Sequence, residues 1–260
     1  MLRVQILDTE HFLTNDRGGL LCYTKLKKFF EVNMKKFFCN LVAALWVYPL
    51  RLILIILTFL LYRPKVYYES QASPHRRVKK PTVLTCNHLR GCDGAVISAI
   101  FPRKRIHPLT ARRWYKTWYL YPFMRCGYTI PIDRGATAWV HTSVAELEKG
   151  DSVLIFPEGM AVPGPEIRPF TPGFLLLAKT AGTPVLPLYM EGCYNRPFLK
   201  RLRIVVGTPY YPSLAPAEGE SLRQYYDREC KILFEKTVAL RELMHREMNR
   251  KKRNKKEKRK

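Results

Sequence analysis

The feature that most constrains the fold is an alternation of short apolar runs with helical patterns between residues 81 and 248. The sequence predicts strands at 81–87, 128–133, 153–156, 184–190 and 202–207, and helices at 94–101, 112–126 (broken at Pro122), 137–149, 173–181 and 221–248. Strands that alternate with helices indicate a parallel sheet with helices on its faces. We therefore predict an α/β fold, a single domain with a mainly parallel central sheet whose functional residues lie in loops at strand ends.

An apolar segment of 26 residues, Phe37–Tyr62, precedes this domain, and its only strongly polar residues are Asn40 and Arg51. At 1.5 Å per residue it is long enough for a hydrocarbon core of about 30 Å. Pro49 favours a kink, and Arg51 would cost roughly 2.5 to 3.5 kcal/mol at the bilayer centre. The segment is predicted to be a membrane anchor. A re-entrant or interfacial anchor with Arg51 snorkelling to head groups is favoured over a single span or a buried soluble helix.

The charge of the chain is strongly positive, with 45 Lys or Arg against 21 Asp or Glu and a net charge of +24. Residues 250–260 read RKKRNKKEKRK, nine basic residues and one acidic residue. We predict a polybasic disordered tail there, attracted to anionic membrane lipids or to nucleic acid phosphate, and the apolar segment favours lipid. The predicted organisation is an N-terminal extension at 1–36, the anchor at 37–62, the α/β domain at 63–249 and the tail at 250–260.

The strongest chemical signal is His88 followed five residues later by Asp93, where a buried strand passes into a loop and then a helix. A carboxylate that accepts from one ring nitrogen holds the imidazole in the tautomer whose other nitrogen accepts a proton from a hydroxyl. By itself the spacing is more typical of a structural histidine and a helix N-cap. Other motifs must decide between the two interpretations.

Two other kinds of active site are weaker interpretations of the same region. Potential metal ligands lie within eight residues, at Cys86, His88, Cys92 and Asp93, but paired CxxC or HxxxH spacing and a second cluster are missing, so no metal is expected. A serine hydrolase would need a GxSxG elbow, and residues 150–152 are more simply a turn. The seven cysteines include no CxxC pair, which predicts reduced thiols facing the cytosol.

Three further blocks follow in order, namely Gly127–Arg134 (GYTIPIDR), Phe156–Gly159 (FPEG) and Val185–Leu188 (VLPL). With them the chain resembles the 1-acylglycerol-3-phosphate O-acyltransferase family of membrane glycerolipid enzymes over roughly residues 62–209. The resemblance implies a glycerolphosphate acyltransferase-like fold at the cytoplasmic face of a membrane. It implies transfer of a fatty acyl group from acyl-CoA or acyl carrier protein to a lysophospholipid hydroxyl, most simply that of 1-acyl-sn-glycerol-3-phosphate, giving phosphatidic acid. No redox or nucleotide cofactor is implied.

The same resemblance implies roles for individual residues. His88 would be the general base and Asp93 the residue that orients it. Independently of the resemblance, the backbone N–H groups of residues 91–94, at the start of the following helix, are candidate oxyanion donors. Arg134 would bind the acceptor phosphate. Glu158 and Gly159 would shape the acceptor pocket, Gly159 through close approach of its backbone.

The chain also departs from the family pattern at several cations. FPEGTR is replaced by FPEGMA, and PFKKG by PFTPG, so three basic residues are lost. Arg90, which replaces a common Ser, and Arg168 are candidates to take over phosphate binding. Acylation of a different lysolipid therefore remains open, as does a basic membrane-binding or nucleic-acid-binding protein without catalysis.

Overall fold

The structure is a computed structural model that describes residues 34, 45–46, 48–69, 80–133, 135, 137–164, 166–192 and 201–257. By its internal contacts the chain divides into residues 1–49 and residues 50–260. The strands and the functional site belong to the second unit.

A seven-stranded sheet forms the centre of the described part of the chain. Its strands are β1 Lys65–Tyr68, β2 Val83–Cys86, β3 Ile106–Ala111, β4 Ile130–Ile132, β5 Ser152–Ile155, β6 Val185–Glu191 and β7 Arg203–Val206. The order across the sheet is β1-β7-β6-β2-β5-β3-β4, and β6 and β7 pair antiparallel while the other neighbours pair parallel. The predicted α/β class with a mainly parallel sheet is confirmed.

Helices cover both faces of this sheet. They are α1 Tyr48–Tyr62, α2 Asp93–Ile100, a 3-10 helix Arg112–Lys116, α3 Tyr121–Cys126, α4 Ala138–Glu148, α5 Gly173–Ala181 and α6 Leu222–Glu257. Successive residues of a strand point to opposite faces, so Leu84 of β2 packs in a cluster with Ile97 of α2, while Val83 packs in a cluster with Phe174 of α5. All four residues of β2 are buried, so the connection from β2 to α2 reaches solvent only in the loop that follows β2.

Two strands were not predicted. β1 is only four residues long, and β3 contains His107 and Pro108, which interrupt its apolar pattern. Residues 112–126 do form a helix pair, but Pro122 lies in the first turn of α3 and not at the break. A proline is tolerated there because the first N–H groups of a helix have no partner within the helix.

The predicted anchor is described only in part, because most of residues 1–47 lie outside the described residues. Helix α1 spans 15 residues and contains Pro49 in its first turn, so the kink predicted at Pro49 would fall at the N-terminal end of α1. The Arg51 guanidinium lies 4.9 Å from the ring centroid of Tyr128. That Arg51 extends toward lipid head groups stays a prediction. Among the helices described here, none has both the length and the apolar character to cross a membrane.

The structure also differs from the predicted disordered tail, because α6 continues to Glu257. Lys and Arg favour helix, and Arg250 and Arg253 face Glu247 and Glu257 at 3.5 and 3.8 Å across single turns. Only residues 258–260 of the polybasic segment lie outside the described residues.

Candidate active site

The site begins where β2 ends, at a buried amide. Asn87 Nδ2 donates to the carbonyl oxygen of Met190 at 2.9 Å, and the Met190 N–H donates to Asn87 Oδ1 at 2.7 Å. The side chain of Asn87 therefore continues the pairing of β2 with β6 for one more residue. This pair of hydrogen bonds between neighbouring strands fixes the backbone from which His88 projects.

The Asp93 carboxylate binds the histidine that precedes it. His88 Nδ1 lies 2.9 Å from Asp93 Oδ2, and the same oxygen accepts from the backbone N–H groups of Leu89 and Arg90 at 2.6 and 2.7 Å. Asp93 is the first residue of α2 and binds amides that precede it in the chain, so it does not act as the helix N-cap that the alternative interpretation required. With the Nδ1 hydrogen donated to a carboxylate, the lone pair of His88 lies on Nε2.

The His88 ring is also held from its face. It stacks on Phe156 with 4.1 Å between ring centroids and 16° between ring planes. The backbone of residue 88 is bound as well, since its carbonyl oxygen accepts from the Val162 N–H at 2.9 Å. Stacking and hydrogen bonding together limit the imidazole to one orientation, as a general base requires.

Glu158 connects the histidine loop to the segment before α5. Its Oε1 accepts from the His88 N–H at 3.0 Å and its Oε2 from the Arg168 N–H at 3.3 Å. Burial raises the pKa of the Glu158 carboxyl, and these two N–H groups partly oppose that shift. Both carboxylate oxygens of this pocket residue are therefore bound by the protein itself.

Gly159 adopts a backbone conformation that favours glycine. Its φ is +75°, a left-handed conformation that side chains disfavour, whereas a Cβ at this position would meet no atom within 4 Å. Backbone conformation alone is enough to favour glycine here, and close approach of the Gly159 backbone to the acceptor stays a prediction.

The predicted cations lie around the same loops. Arg90 is half-buried two residues after His88, and Arg168 is exposed beside the FPEG loop, where its Nη1 lies 3.1 Å from Met160 Sδ. Met160 stands where the family has threonine. Arg134 lies outside the described residues, so its place in the site stays a prediction.

Sequence reasoning missed the residues that hold the site together. In the sequence, Phe156 is visible only as the first residue of the FPEG block, and Thr171 only as the residue that replaces a family lysine in PFTPG. Thr171 donates to the Pro157 carbonyl through both its N–H and its hydroxyl, each at 2.8 Å. A polar residue that replaces a family cation was the available signal for this contact.

The two cysteines beside the histidine differ in exposure, since Cys86 is buried and Cys92 is exposed. Cys86 Sγ donates to Asn87 Oδ1 at 3.6 Å, and desolvation raises the pKa of both the Cys86 and the Cys92 thiols. Within the described residues, the group spaced to hold a metal ion is His107, Glu146 and Asp151, at the amino ends of the strands and so at the sheet edge opposite His88. His107 already bonds Tyr128 and Asp151 there.

Comparison with known proteins gives the family. The family model named Acyltransferase matches residues 65–191, which include β1 to β6 and every site residue described above. This segment is an acyltransferase-family domain. The family predicted from four motifs is thereby confirmed.

Individual relatives match the same region. A Mycoplasma genitalium protein named "Probable 1-acyl-sn-glycerol-3-phosphate acyltransferase" is 30% identical over 125 residues, which are 45% of this chain and 47% of that protein. The 1-acyl-sn-glycerol-3-phosphate acyltransferase of Salmonella typhimurium is 27% identical over 115 residues, which are 42% of this chain and 47% of that enzyme. The chain thus spans about half the length of the curated relatives it matches.

A solved structure supports the fold of the acyltransferase domain. The 1-acyl-sn-glycerophosphate acyltransferase PlsC from Thermotoga maritima superposes with a TM-score of 0.52 over 73% of this chain and 79% of that chain, at 16% identity. At this identity the likeness is one of fold, and it agrees with the mainly parallel sheet described above.

Proposed function

We propose that the protein transfers an acyl group from an acyl thioester to the free hydroxyl of a lysophospholipid. The observation that carries the proposal is the 2.9 Å contact between His88 Nδ1 and Asp93 Oδ2 inside an acyltransferase-family domain. The named activity of the relatives favours 1-acyl-sn-glycerol-3-phosphate as acceptor and phosphatidic acid as product. The acyl donor is acyl-CoA or acyl carrier protein.

The reaction follows from the protonation state of the pair. His88 Nε2 accepts the proton of the acceptor hydroxyl as its oxygen attacks the thioester carbonyl carbon, and Asp93 stabilises the imidazolium that forms. The tetrahedral oxyanion then collapses, the carbon–sulfur bond breaks, and the imidazolium returns its proton to the leaving thiolate. A positioned base typically contributes about 10² to 10⁴-fold, so proximity and oxyanion donors supply the remaining acceleration.

The candidate oxyanion donors can be narrowed. The N–H groups of Leu89 and Arg90 are bound to Asp93, and the Asp93 N–H donates to the Arg90 carbonyl. Of the predicted stretch 91–94, we therefore assign the oxyanion to the backbone of Gly91, Cys92 and Gly94.

Acceptor binding is assigned to the cations around the site. In this proposal Arg134 binds the phosphate and is assisted by Arg90 and Arg168, since a guanidinium fork suits a phosphate. Glu158 and Gly159 shape the pocket through the backbone, because the Glu158 carboxylate holds the N–H groups of His88 and Arg168. An acceptor other than 1-acyl-sn-glycerol-3-phosphate is kept open by the missing family cations.

We further propose that the enzyme works at the cytoplasmic face of a membrane. Helix α1 exposes several large apolar side chains, and anionic lipids attract the polybasic end of α6 at residues 250–260. Leu52, Ile53, Ile56, Phe59 and Leu60 are among those exposed residues of α1.

The deciding experiment is transfer of a labelled acyl group to a panel of lysolipids, with acyl-CoA and acyl carrier protein as donors. Product that disappears in His88→Ala, while the melting temperature is kept, supports the proposal and identifies the acceptor. Product from another lysolipid alone corrects the substrate. The absence of product with both donor classes would favour a basic membrane-binding or nucleic-acid-binding protein without catalysis.

A further inference from the structure

The turn between the 3-10 helix and α3 exposes aromatic side chains to solvent. Trp118 is 84% exposed and Tyr119 is 56% exposed, and their rings contact edge-to-face with 5.9 Å between centroids. Trp114 and Tyr121, on either side, are also exposed. We refer to residues 112–125 as the aromatic loop. A cluster of exposed aromatic rings of this kind marks a contact surface.

The exposed rings stand on a well-bonded backbone. The N–H of Thr117 donates to the Trp114 carbonyl at 3.3 Å, and the N–H groups of Leu120 and Tyr121 donate to the Thr117 carbonyl at 3.0 and 3.1 Å. Below them the Tyr115 hydroxyl contacts Thr129. The aromatic loop therefore holds Trp118 outward through its hydrogen bonds.

Cations surround these rings and acids do not. The aromatic loop contains Arg112, Arg113, Lys116 and Arg125, and residues 94–132 contain no Asp or Glu. Arg112 is paired with Asp133, and the Arg113 guanidinium lies 5.3 Å from the ring centroid of Trp114. Trp and Tyr beside an excess of cations over acidic residues are the composition that favours the head-group region of an anionic bilayer.

Helix α1 contacts the chain just beyond the aromatic loop. The Arg51 guanidinium of α1 lies 4.9 Å from the ring centroid of Tyr128, two residues beyond the end of α3. The aliphatic residues that α1 exposes suit acyl chains and offer nothing to a nucleic acid. A lipid surface is therefore the partner that both elements fit.

We propose that the aromatic loop inserts Trp118 and Tyr119 into the interface of an anionic phospholipid bilayer, as a contact separate from α1 and from the polybasic end of α6. This inference goes beyond the proposed acyl transfer. It is tested by binding in the absence of substrate, so a failure of catalysis and a failure of the aromatic loop to insert give different results.

The first test uses vesicles of phosphatidylglycerol and phosphatidylcholine with brominated acyl chains, which quench tryptophan by contact. The chain has four tryptophans, at 46, 114, 118 and 139. If Trp118 lies in the bilayer, Trp118→Phe removes a quenched emitter and the quenched fraction of the remaining fluorescence falls. If Trp118 stays in water, the substitution removes an unquenched emitter and that fraction rises, which overturns the proposal. Trp139→Phe is the matched control, because Trp139 packs against the core and its removal should raise the fraction.

The second test concerns charge. Arg113→Gln with Lys116→Gln should weaken partitioning onto the same anionic vesicles by about five-fold per cation, and should not change binding to phosphatidylcholine alone. Arg223→Gln with Lys231→Gln removes the same charge from exposed positions near the start of α6 and serves as control. Equal losses in the two pairs would overturn the proposal. Unchanged vesicle binding with a loss of binding to a single-stranded RNA oligonucleotide would assign the aromatic loop to nucleic acid.

Discussion

At the scale of single residues, one carboxylate oxygen organises the loop that carries His88. Asp93 Oδ2 accepts from His88 Nδ1 and from the N–H groups of Leu89 and Arg90, while the carboxylate itself is buried. The same atom therefore selects the histidine tautomer and fixes the backbone around it. Charge and shape at Asp93 are separable by substitution, which makes it a more informative position than the base itself.

Asp93→Asn keeps the side-chain shape and one accepting oxygen but removes the charge that stabilises the imidazolium. We expect kcat for acyl transfer to fall by about 10² to 10⁴-fold, with little change in KM for the acceptor. Steady-state kinetics of the purified variant measure this. Asp227→Asn, at an exposed position of α6, should be neutral, and a mutant at Asp93 with near-normal kcat would refute the catalytic role of the pair.

Glu158 predicts a pH dependence of stability. Its pKa is raised in the folded protein above the ordinary value of 4.5, so the folded state binds more protons than the unfolded state once the pH exceeds that value. Glu158→Gln removes this titration. It also places an amide donor against the N–H group of His88 or of Arg168, which should lower the free energy of unfolding by about 1 to 3 kcal/mol. The advantage of wild type over Glu158→Gln in melting temperature should be greatest below pH 4.5 and shrink as the pH rises. An advantage that grows with pH would contradict the direction of the shift.

At the scale of elements, α2 carries Asp93, so the distance between α2 and the sheet determines where the carboxylate lies. Gly94 at its second position allows a short distance, because a Cβ there would lie 2.8 Å from Pro108 Cβ of β3. Strand β3, which the sequence patterns did not predict, therefore sets how closely α2 approaches the sheet. Close packing at Gly94 links the position of the carboxylate to the register of β3.

Gly94→Ala should destabilise the fold by about 1 to 3 kcal/mol, because α2 or β3 must move to accept the methyl group. Thermal unfolding followed by circular dichroism measures the change. Gly164→Ala provides the control, since no atom lies within 4 Å of its Cβ position. Equal melting temperatures for the two variants would show that α2 does not pack against Pro108 in solution.

At the scale of the whole molecule, the positive charge is concentrated at the end of the long helix α6. Residues 250–260 contribute nine basic residues, whereas Met244 is fully buried and the partly buried Met248 also packs on the domain. Binding to lipid and stability of the fold should therefore respond separately to truncation.

Deletion of residues 250–260 should lower the partition coefficient onto anionic vesicles by on the order of a hundredfold or more, since each cation near the surface contributes about 1 kcal/mol. The melting temperature should change little, because the packed methionines are retained. Vesicle sedimentation at two salt concentrations measures the first effect, and its salt dependence should weaken in the truncated protein. If the deletion does not change vesicle binding, the polybasic segment does not contribute to membrane binding.

The α/β class and most of the elements, though not β1 and β3, follow from local patterns. Buried strands such as β2 and β6 are visible as apolar runs. Helix α5 spans the predicted residues, and it ends where predicted because Gly182 provides a left-handed C-cap. His88 and Asp93 are five residues apart, so their contact needs only the turn between a strand and a helix. Such features depend on neighbours along the chain, which the sequence displays directly.

The sequence by itself determined the alternating fold, the histidine–aspartate pair, the family and the concentration of charge at the C-terminal end. The tertiary structure alone decided that Phe156 stacks on His88, that Glu158 binds an N–H group 70 residues away, and that Arg51 rests on Tyr128. These contacts depend on β5 lying beside β2 and on α1 lying against the domain. Strand order and packing are set by the summed burial of all elements, and no local stretch of sequence encodes that sum.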